Sequence, residues 1–341
     1  MSQTVYPKYV EHGGELSYPA PVVCEGTNLY GFILEGDPDK ITSLCRRTFH
    51  DPSGGQVDYI PLTRYVMLTM GTIKKISSAS MNLGWSQETQ ATFWVPTAFG
   101  HQDGNVFFAD RIAMLPAYIM VDAYYSLVSG REVYGFFKSF GWFDIPDSDQ
   151  IVNPDQLKLD VYGLKEFDPR NEAKRWPLLE VNRCGNAPGA NGTSWTSMED
   201  AFNEIMSTLH DSNKEFFLPG LTLGPSVIHD LLHKEVPVVF LKQFRAADLP
   251  GGAAYQAILE APAAIQRFTG FSLIDEYEFS LVNNLASFPL ANDLGITSQK
   301  ALISFKLDMD FTFQTGTTIW QVAESHETGL MGFLARLFGK G

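Results

Sequence analysis

Ser304-Phe305-Lys306-Leu307-Asp308-Met309-Asp310-Phe311-Thr312-Phe313 alternates apolar and polar side chains at every step. A strand points successive side chains to opposite faces, so this pattern puts Phe305, Leu307, Met309, Phe311 and Phe313 on one face and Lys306, Asp308 and Asp310 on the other. It predicts a strand with one face on an apolar core. Residues 64–73, 91–95, 113–121, 237–244, 254–261, 271–282 and 301–313 share its wealth of β-branched and aromatic side chains, several with partial alternation. So many strands with few helices between them predict a β-dominated α+β fold, built on an antiparallel sheet or closed barrel and not on a parallel doubly wound sheet. The apolar run Leu29 to Leu34 reads as a further strand. Asp37-Pro38-Asp39 follows it, opening a helix at Pro38 that continues over residues 40–48.

Composition narrows the function. At 341 residues and 45% hydrophobic, the chain can bury a large core. Its net charge of -14, from 25 Lys+Arg against 39 Asp+Glu, shows no basic stripe for phosphate, so nucleic acid is not an expected partner. The three cysteines, Cys24, Cys45 and Cys184, have no metal-ligand spacing and read as reduced thiols of a cytoplasmic protein. No continuous apolar N-terminal stretch marks secretion or a membrane span.

Between residues 144 and 235 the texture changes. The Gly/Asn/Pro-rich loop Gly185 to Gly192 precedes a helical pattern opening at Ser197, with Ala201, Phe202, Ile205, Met206 and Leu209 on one face. This region is expected to be an insertion or subdomain within a single domain spanning 1–341. Residues 321–341 form a C-terminal amphipathic tail, with Leu330, Phe333, Leu334, Leu337 and Phe338 on a helical stripe.

Most candidate chemistries fail on their residues. His229 and His233 have i, i+4 spacing but no intervening glutamate and no third ligand, so no metal is expected. No phosphate-binding glycine loop or Gly-x-Ser-x-Gly elbow is present, and no cofactor is implied. Lys138 stands apart, flanked by Phe136, Phe137, Phe140, Trp142 and Phe143. Such a setting strips water from an amine and disfavours its ammonium form, leaving the neutral nucleophile that attacks a carbonyl. From these residues alone, a lysine snorkelling from an aromatic surface strand is the favoured reading.

Gly130-Arg131-Glu132-Val133-Tyr134-Gly135-Phe136-Phe137-Lys138 resembles the Gly-Arg-Glu-Leu-x-Gly-[Phe/Tyr]-Pro-Lys-Lys signature of the acetoacetate decarboxylase family. Ala286 to Leu294 is similar to that family's Pro-Leu-x-Asp-Leu loop. The resemblance covers roughly residues 22–143 and 236–320. It implies a closed antiparallel barrel, a homo-oligomer, and Lys138 as the Schiff-base lysine, with Glu88 as an acid that positions substrate or shuttles protons. Arg131, Glu132, Phe136 and Phe140 are the expected substrate-side residues. Three departures bear on the chemistry: the family's second lysine is Ser139, its substrate-side arginine falls at Thr27, and one of two pocket acids falls at Val66.

The sequence therefore points to a lyase that forms a Schiff base with a small oxo acid or related carbonyl compound and decarboxylates a β-keto acid. An aldolase or dehydratase acting on a 2-oxo acid, or a catalytically silent ligand-binding protein on the same scaffold, are the alternatives.

Overall fold

The computed structural model describes residues 7–11, 17–146, 151–186 and 235–322, together with Ser194, Trp195, Ser197, Asp200, Ser207 and Leu221–Leu223. The strands are β1 Val22–Glu35, β2 Tyr59–Pro61, β3 Tyr65–Ser78, β4 Trp85–Asp103, β5 Val106–Val121, β6 Lys138–Asp144, β7 Gln156–Gly163 and β8 Lys174–Gly185. They continue with β9 Ser194–Trp195, β10 Leu221–Leu223, β11 Glu235–Arg245, β12 Ala253–Leu273, β13 Glu276–Leu281, β14 Gln299–Lys300, β15 Ile303–Phe313 and β16 Thr317–Gln321. Among the described residues four short helices accompany them: α1 Pro38–Cys45, α2 Asp51–Ser53, α3 Tyr124–Ser129 and α4 Leu290–Asp293.

Seven strands close a ring in the order β5, β11, β12, β15, β1, β3, β4, with β4 returning to β5. All of these pairings are antiparallel except β5 with β11. From β5 the sheet also branches through β6 to β7, β8, β13 and β14, forming a second layer. Closure removes the free edges that a sheet of this size would otherwise expose.

The alternation in β15 now has a physical destination. On the wall strands β1, β3 and β4, one set of alternate side chains, among them Tyr30, Phe32, Val66, Leu68, Phe93 and Val95, packs outward against Leu157, Leu159, Val181, Tyr277 and Phe279 of the second layer. Phe93 meets Phe279 edge-on with centroids 6.3 Å apart, and Phe32 meets Tyr277 at 5.4 Å. The other set points into the barrel. The main core is therefore the sandwich outside the barrel wall, which leaves the interior free to hold a cavity.

Residues 91–95, 113–121, 237–244 and 254–261 fall within longer observed strands, 64–73 begins one residue before β3, and 301–313 begins two residues before β15. Strand β4 spans 19 residues and β12 spans 21, and bulges between Ile265 and Arg267 and between Phe268 and Gly270 let β12 bend around the barrel. Residues 271–282 are not one strand. The chain breaks between β12 and β13, where the Ile274 N–H donates to the Ser304 carbonyl and the Asp275 N–H to Asn153 Oδ1. Helix α1 begins at Pro38 as predicted, capped by Asp37, which accepts from the Asp39 and Lys40 N–H groups; it passes into a π-helical turn at Arg46–His50.

Of residues 144–235, the described β7 and β8 are built into the second layer, pairing with β6 and β13. The helical pattern from residue 201, His229, His233 and the amphipathic tail beyond Val322 lie outside the described residues. Among the described residues no helix is long and apolar enough to cross a membrane.

Cys45, the last residue of α1, is buried, and burial, followed by the nearby Asp58 carboxylate, pushes its thiol up to about 12. Since the unfolded thiol ionises near 8.5, the stability that Cys45 contributes is intact below that pH and falls as pH rises towards 12. Cys24 and Cys45 are buried and Cys184 is exposed. Alkylation of the native protein at pH 8 should label Cys184 alone, with the other two labelled only after denaturation. Native labelling of Cys45 would contradict its burial.

Candidate active site in the barrel

The Gly-Arg-Glu segment builds the approach to Lys138. Helix α3 passes into a π-helical turn at Gly130–Tyr134, and Gly135 ends it in the left-handed region at φ 91. A side chain at Gly135 would also meet Lys242 Cα at 2.4 Å, so only glycine lets the turn pack against β11. The chain then enters β6, where Lys138 pairs in parallel with Ile119 of β5. Arg131 Nη1 donates to the Lys138 carbonyl at 3.1 Å and fixes the backbone there. Asp122, at the start of the loop before α3, accepts from the Thr89 N–H at 2.7 Å, and the helix begins after Ala123 without a side-chain cap. The carboxylate is drawn to β4, which ties the end of β5 to its neighbour.

Lys138 reaches into the barrel interior. Its Nζ donates to Ser126 Oγ at 2.5 Å, lies 3.6 Å from Glu88 Oε2 and sits 5.6 Å from the centre of the Phe136 ring. The lysine side chain is 10% exposed and that of Glu88 only 2%, so amine and carboxylate face each other largely out of water. Glu88 Oε2 has no hydrogen-bond partner. An acceptor left free beside a buried amine is available to take or return a proton.

Both groups border a cavity of about 270 Å³. Glu88, Gln90, Thr92 and Trp94 line one side from alternate positions of β4, while Phe305, Leu307, Met309, Phe311 and Phe313 of β15 present the apolar face read from the sequence. Cys24 also lines the cavity. Its thiol is held well above its usual range, chiefly by burial and then by the Glu88 carboxylate, with Lys138 opposing.

The structure thus brings Lys138, Glu88 and Phe136 to one cavity. Phe136 is wedged between Phe240 and Phe313, with centroids 4.4 and 5.3 Å away. Arg131, Glu132 and Phe140 are not on its wall. Glu132 accepts from the Tyr9 hydroxyl at 3.0 Å. Phe140 is 38% exposed and packs edge-on to Trp142. Arg131 borders a second depression behind β5, which Lys138 also lines, with Arg47, Tyr118, Ser139 and Asp293. There Asp293, from the Pro-Leu-x-Asp-Leu-like loop, pairs with Arg47 at 2.5 Å and accepts from the Tyr118 hydroxyl at 2.6 Å. Val66 packs in the outer core, away from the cavity. Thr27 lies two residues before the cavity-lining Leu29 and is buried with its hydroxyl unpartnered.

Sequence reasoning missed Ser126, Gln90 and Thr92. The period-two spacing of Glu88, Gln90, Thr92 and Trp94 could have shown the β4 wall. Ser126 carried no such signal, because only the turn back through Gly135 brings it to Lys138.

Gly130 serves the lysine directly. A Cβ there would lie 2.7 Å from Lys138 Cδ and 2.9 Å from its Cε, so the lysine chain occupies the space that any larger residue needs. We expect Gly130→Ala to fold, since the clash is with a flexible side chain, but to reduce reductive trapping of carbonyl compounds on Lys138 by roughly tenfold or more, as ångström-scale misplacement does. Trapping at the parental rate would show that the lysine needs no such room.

A scan against protein-family models and a search of curated proteins each found no match. Solved structures do match in fold. An acetoacetate decarboxylase is 12% identical with a TM-score of 0.50, covering 90% of this chain and 93% of its own. The acetoacetate decarboxylase of Legionella pneumophila is 12% identical with a TM-score of 0.53, covering 94% of each chain. The enduracididine biosynthesis enzyme MppR, complexed with pyruvate, is 12% identical with a TM-score of 0.53, covering 90% of this chain and 93% of its own.

Proposed function

On the acetoacetate decarboxylase-like fold that this chain adopts, we propose that it is a Schiff-base lyase that decarboxylates a β-keto acid through Lys138. The observation that carries this reading is the buried Lys138 amine, 3.6 Å from a buried Glu88 oxygen that has no hydrogen-bond partner. The neutral amine attacks the ketone carbon, and the resulting carbinolamine loses water to give a protonated imine. The bond from the α-carbon to the carboxyl group then breaks. Its electron pair moves towards the imine nitrogen to form an enamine, and CO2 leaves. Protonation of the α-carbon and hydrolysis by water release the ketone and restore the amine. Glu88 takes the proton that the attacking nitrogen sheds and passes it to the carbinolamine oxygen, which leaves as water with one further proton from solvent; it then relays a solvent proton to the α-carbon. Phe136 keeps the amine side of the cavity apolar.

The MppR structure holds pyruvate, which makes aldol or dehydration chemistry on a 2-oxo acid the second reading. Among the described residues lining the cavity, Lys138 is the only cationic side chain. A 2-oxo acid keeps its carboxylate throughout such chemistry, and at the neutral enamine stage that charge would stand without a cation on the cavity wall, at a substantial desolvation cost. A β-keto acid sheds its charge in the step itself, which favours decarboxylation.

In ¹⁸O-water the ketone product should acquire label as it forms, because its original oxygen leaves as water on imine formation. Enzymatic CO2 release with full retention of the original oxygen would rule out the imine route, and absence of CO2 release would favour the silent binding protein.

A further inference from the structure

We infer that the β-keto acid taken by this site carries a medium-length apolar chain on its keto carbon, in place of a methyl group. This rests on the Schiff-base reading above and adds the substrate class. The cavity does not end at the amine. The row of paired residues Glu88, Ile73, Thr27 and Met309 marks the level of the carboxylate across four strands. Met67 and Trp94, themselves paired, also line the cavity and lie six residues further along β3 and β4. At strand rise this is about 20 Å of chain, shortened along the barrel axis by strand tilt. Along it the side facing β4 is apolar: Met309, Leu307 and Phe305 of β15, joined by Phe268 of β12. Trp94 Nε1 is already satisfied by Thr69 Oγ1 at 3.0 Å.

A four-carbon keto acid would fill only the Lys138 end and leave this apolar face to water. An alkyl chain removes that surface from water, and each methylene buried fully is worth roughly fourfold in affinity. The cavity's 270 Å³ approaches the lower end, about 300 Å³, of pockets that enclose larger organic ligands. With no guanidinium among the described lining residues, recognition falls to apolar contact along β15 and to imine formation at Lys138.

The test is a chain-length series, acetoacetate, 3-oxohexanoate, 3-oxooctanoate and 3-oxodecanoate, each trapped with cyanoborohydride on the full-length protein and read by mass on the Lys138 peptide. The concentration giving half-maximal trapping should fall at least tenfold from acetoacetate to 3-oxooctanoate, and Met67→Gln should flatten the long end of the series. A flat or rising series with acetoacetate still trapped on Lys138 would overturn the chain-length inference while leaving the Schiff-base reading intact. Trapping of none of the four would overturn both, and an unchanged slope in folded Met67→Gln would show that the chain does not run along this path.

Discussion

Lys138→Ala should bring β-keto acid decarboxylation down to the rate in buffer, the largest effect expected of any single substitution in this chain. No other cationic side chain among the described residues lines the cavity, so no second amine there can form the imine. The substitution also leaves Glu88 buried opposite an empty space, and breaking a buried pair by removing one partner can cost ~3–5 kcal/mol. Loss of activity must therefore be separated from loss of fold. The double variant Lys138→Ala/Glu88→Gln removes the orphaned charge, and circular dichroism with thermal melting reports whether it regains stability. If it is folded and inactive, the amine is needed for chemistry. A folded Lys138→Ala variant that decarboxylates at the parental rate would remove the lysine from the mechanism.

Glu88→Gln is expected to act on turnover more than on imine formation. The amide keeps the shape of the carboxylate but not its capacity to shuttle a proton, and positioned acid–base groups typically contribute 10²–10⁴-fold, so kcat should fall by about that factor. Lys138 should still be trapped by borohydride, because the amine and its hydrogen bond to Ser126 Oγ remain. The measurement is kcat beside trapping yield at several pH values. Parallel loss of both would make Glu88 a positioning residue for the lysine, and no loss of kcat would assign the shuttle to water.

Much of the barrel was legible because strands of this kind advertise themselves. In β15 each odd residue from Phe305 to Phe313 is apolar, and each faces the cavity. The lengths of β4 and β12 were not legible, since Pro96, Gly100 and Pro262 look like strand ends in sequence. In the barrel they are tolerated; at Gly100 a Cβ would lie 1.9 Å from the Phe108 carbonyl oxygen, so the glycine permits close approach of β5. At the site, the motif led to Lys138, and the geometry explains its glycines. The aromatic residues around Lys138 were harder to place. Strand β6 pairs with β5 only from Lys138 to Phe140 before joining the second layer, so the environment changes within three residues. Phe136 is thus buried at the cavity while Phe137 and Phe140 are each 38% exposed. Linear proximity to the lysine could not reveal that switch. Nor could it reveal that Val66, the aligned position of an expected acid, falls on the outward set of β3.

The central claim is that Lys138 forms an imine with a keto acid, and borohydride reduction tests it most directly. The protein is incubated with 3-oxooctanoate or acetoacetate, reduced, digested and mapped by mass spectrometry. The account predicts a stable adduct, bearing the carbon skeleton of the decarboxylated ketone, on the peptide containing Lys138 and on no other, and no adduct in Lys138→Ala. An adduct on Lys242 or any other lysine, or equal labelling of the variant, would contradict it.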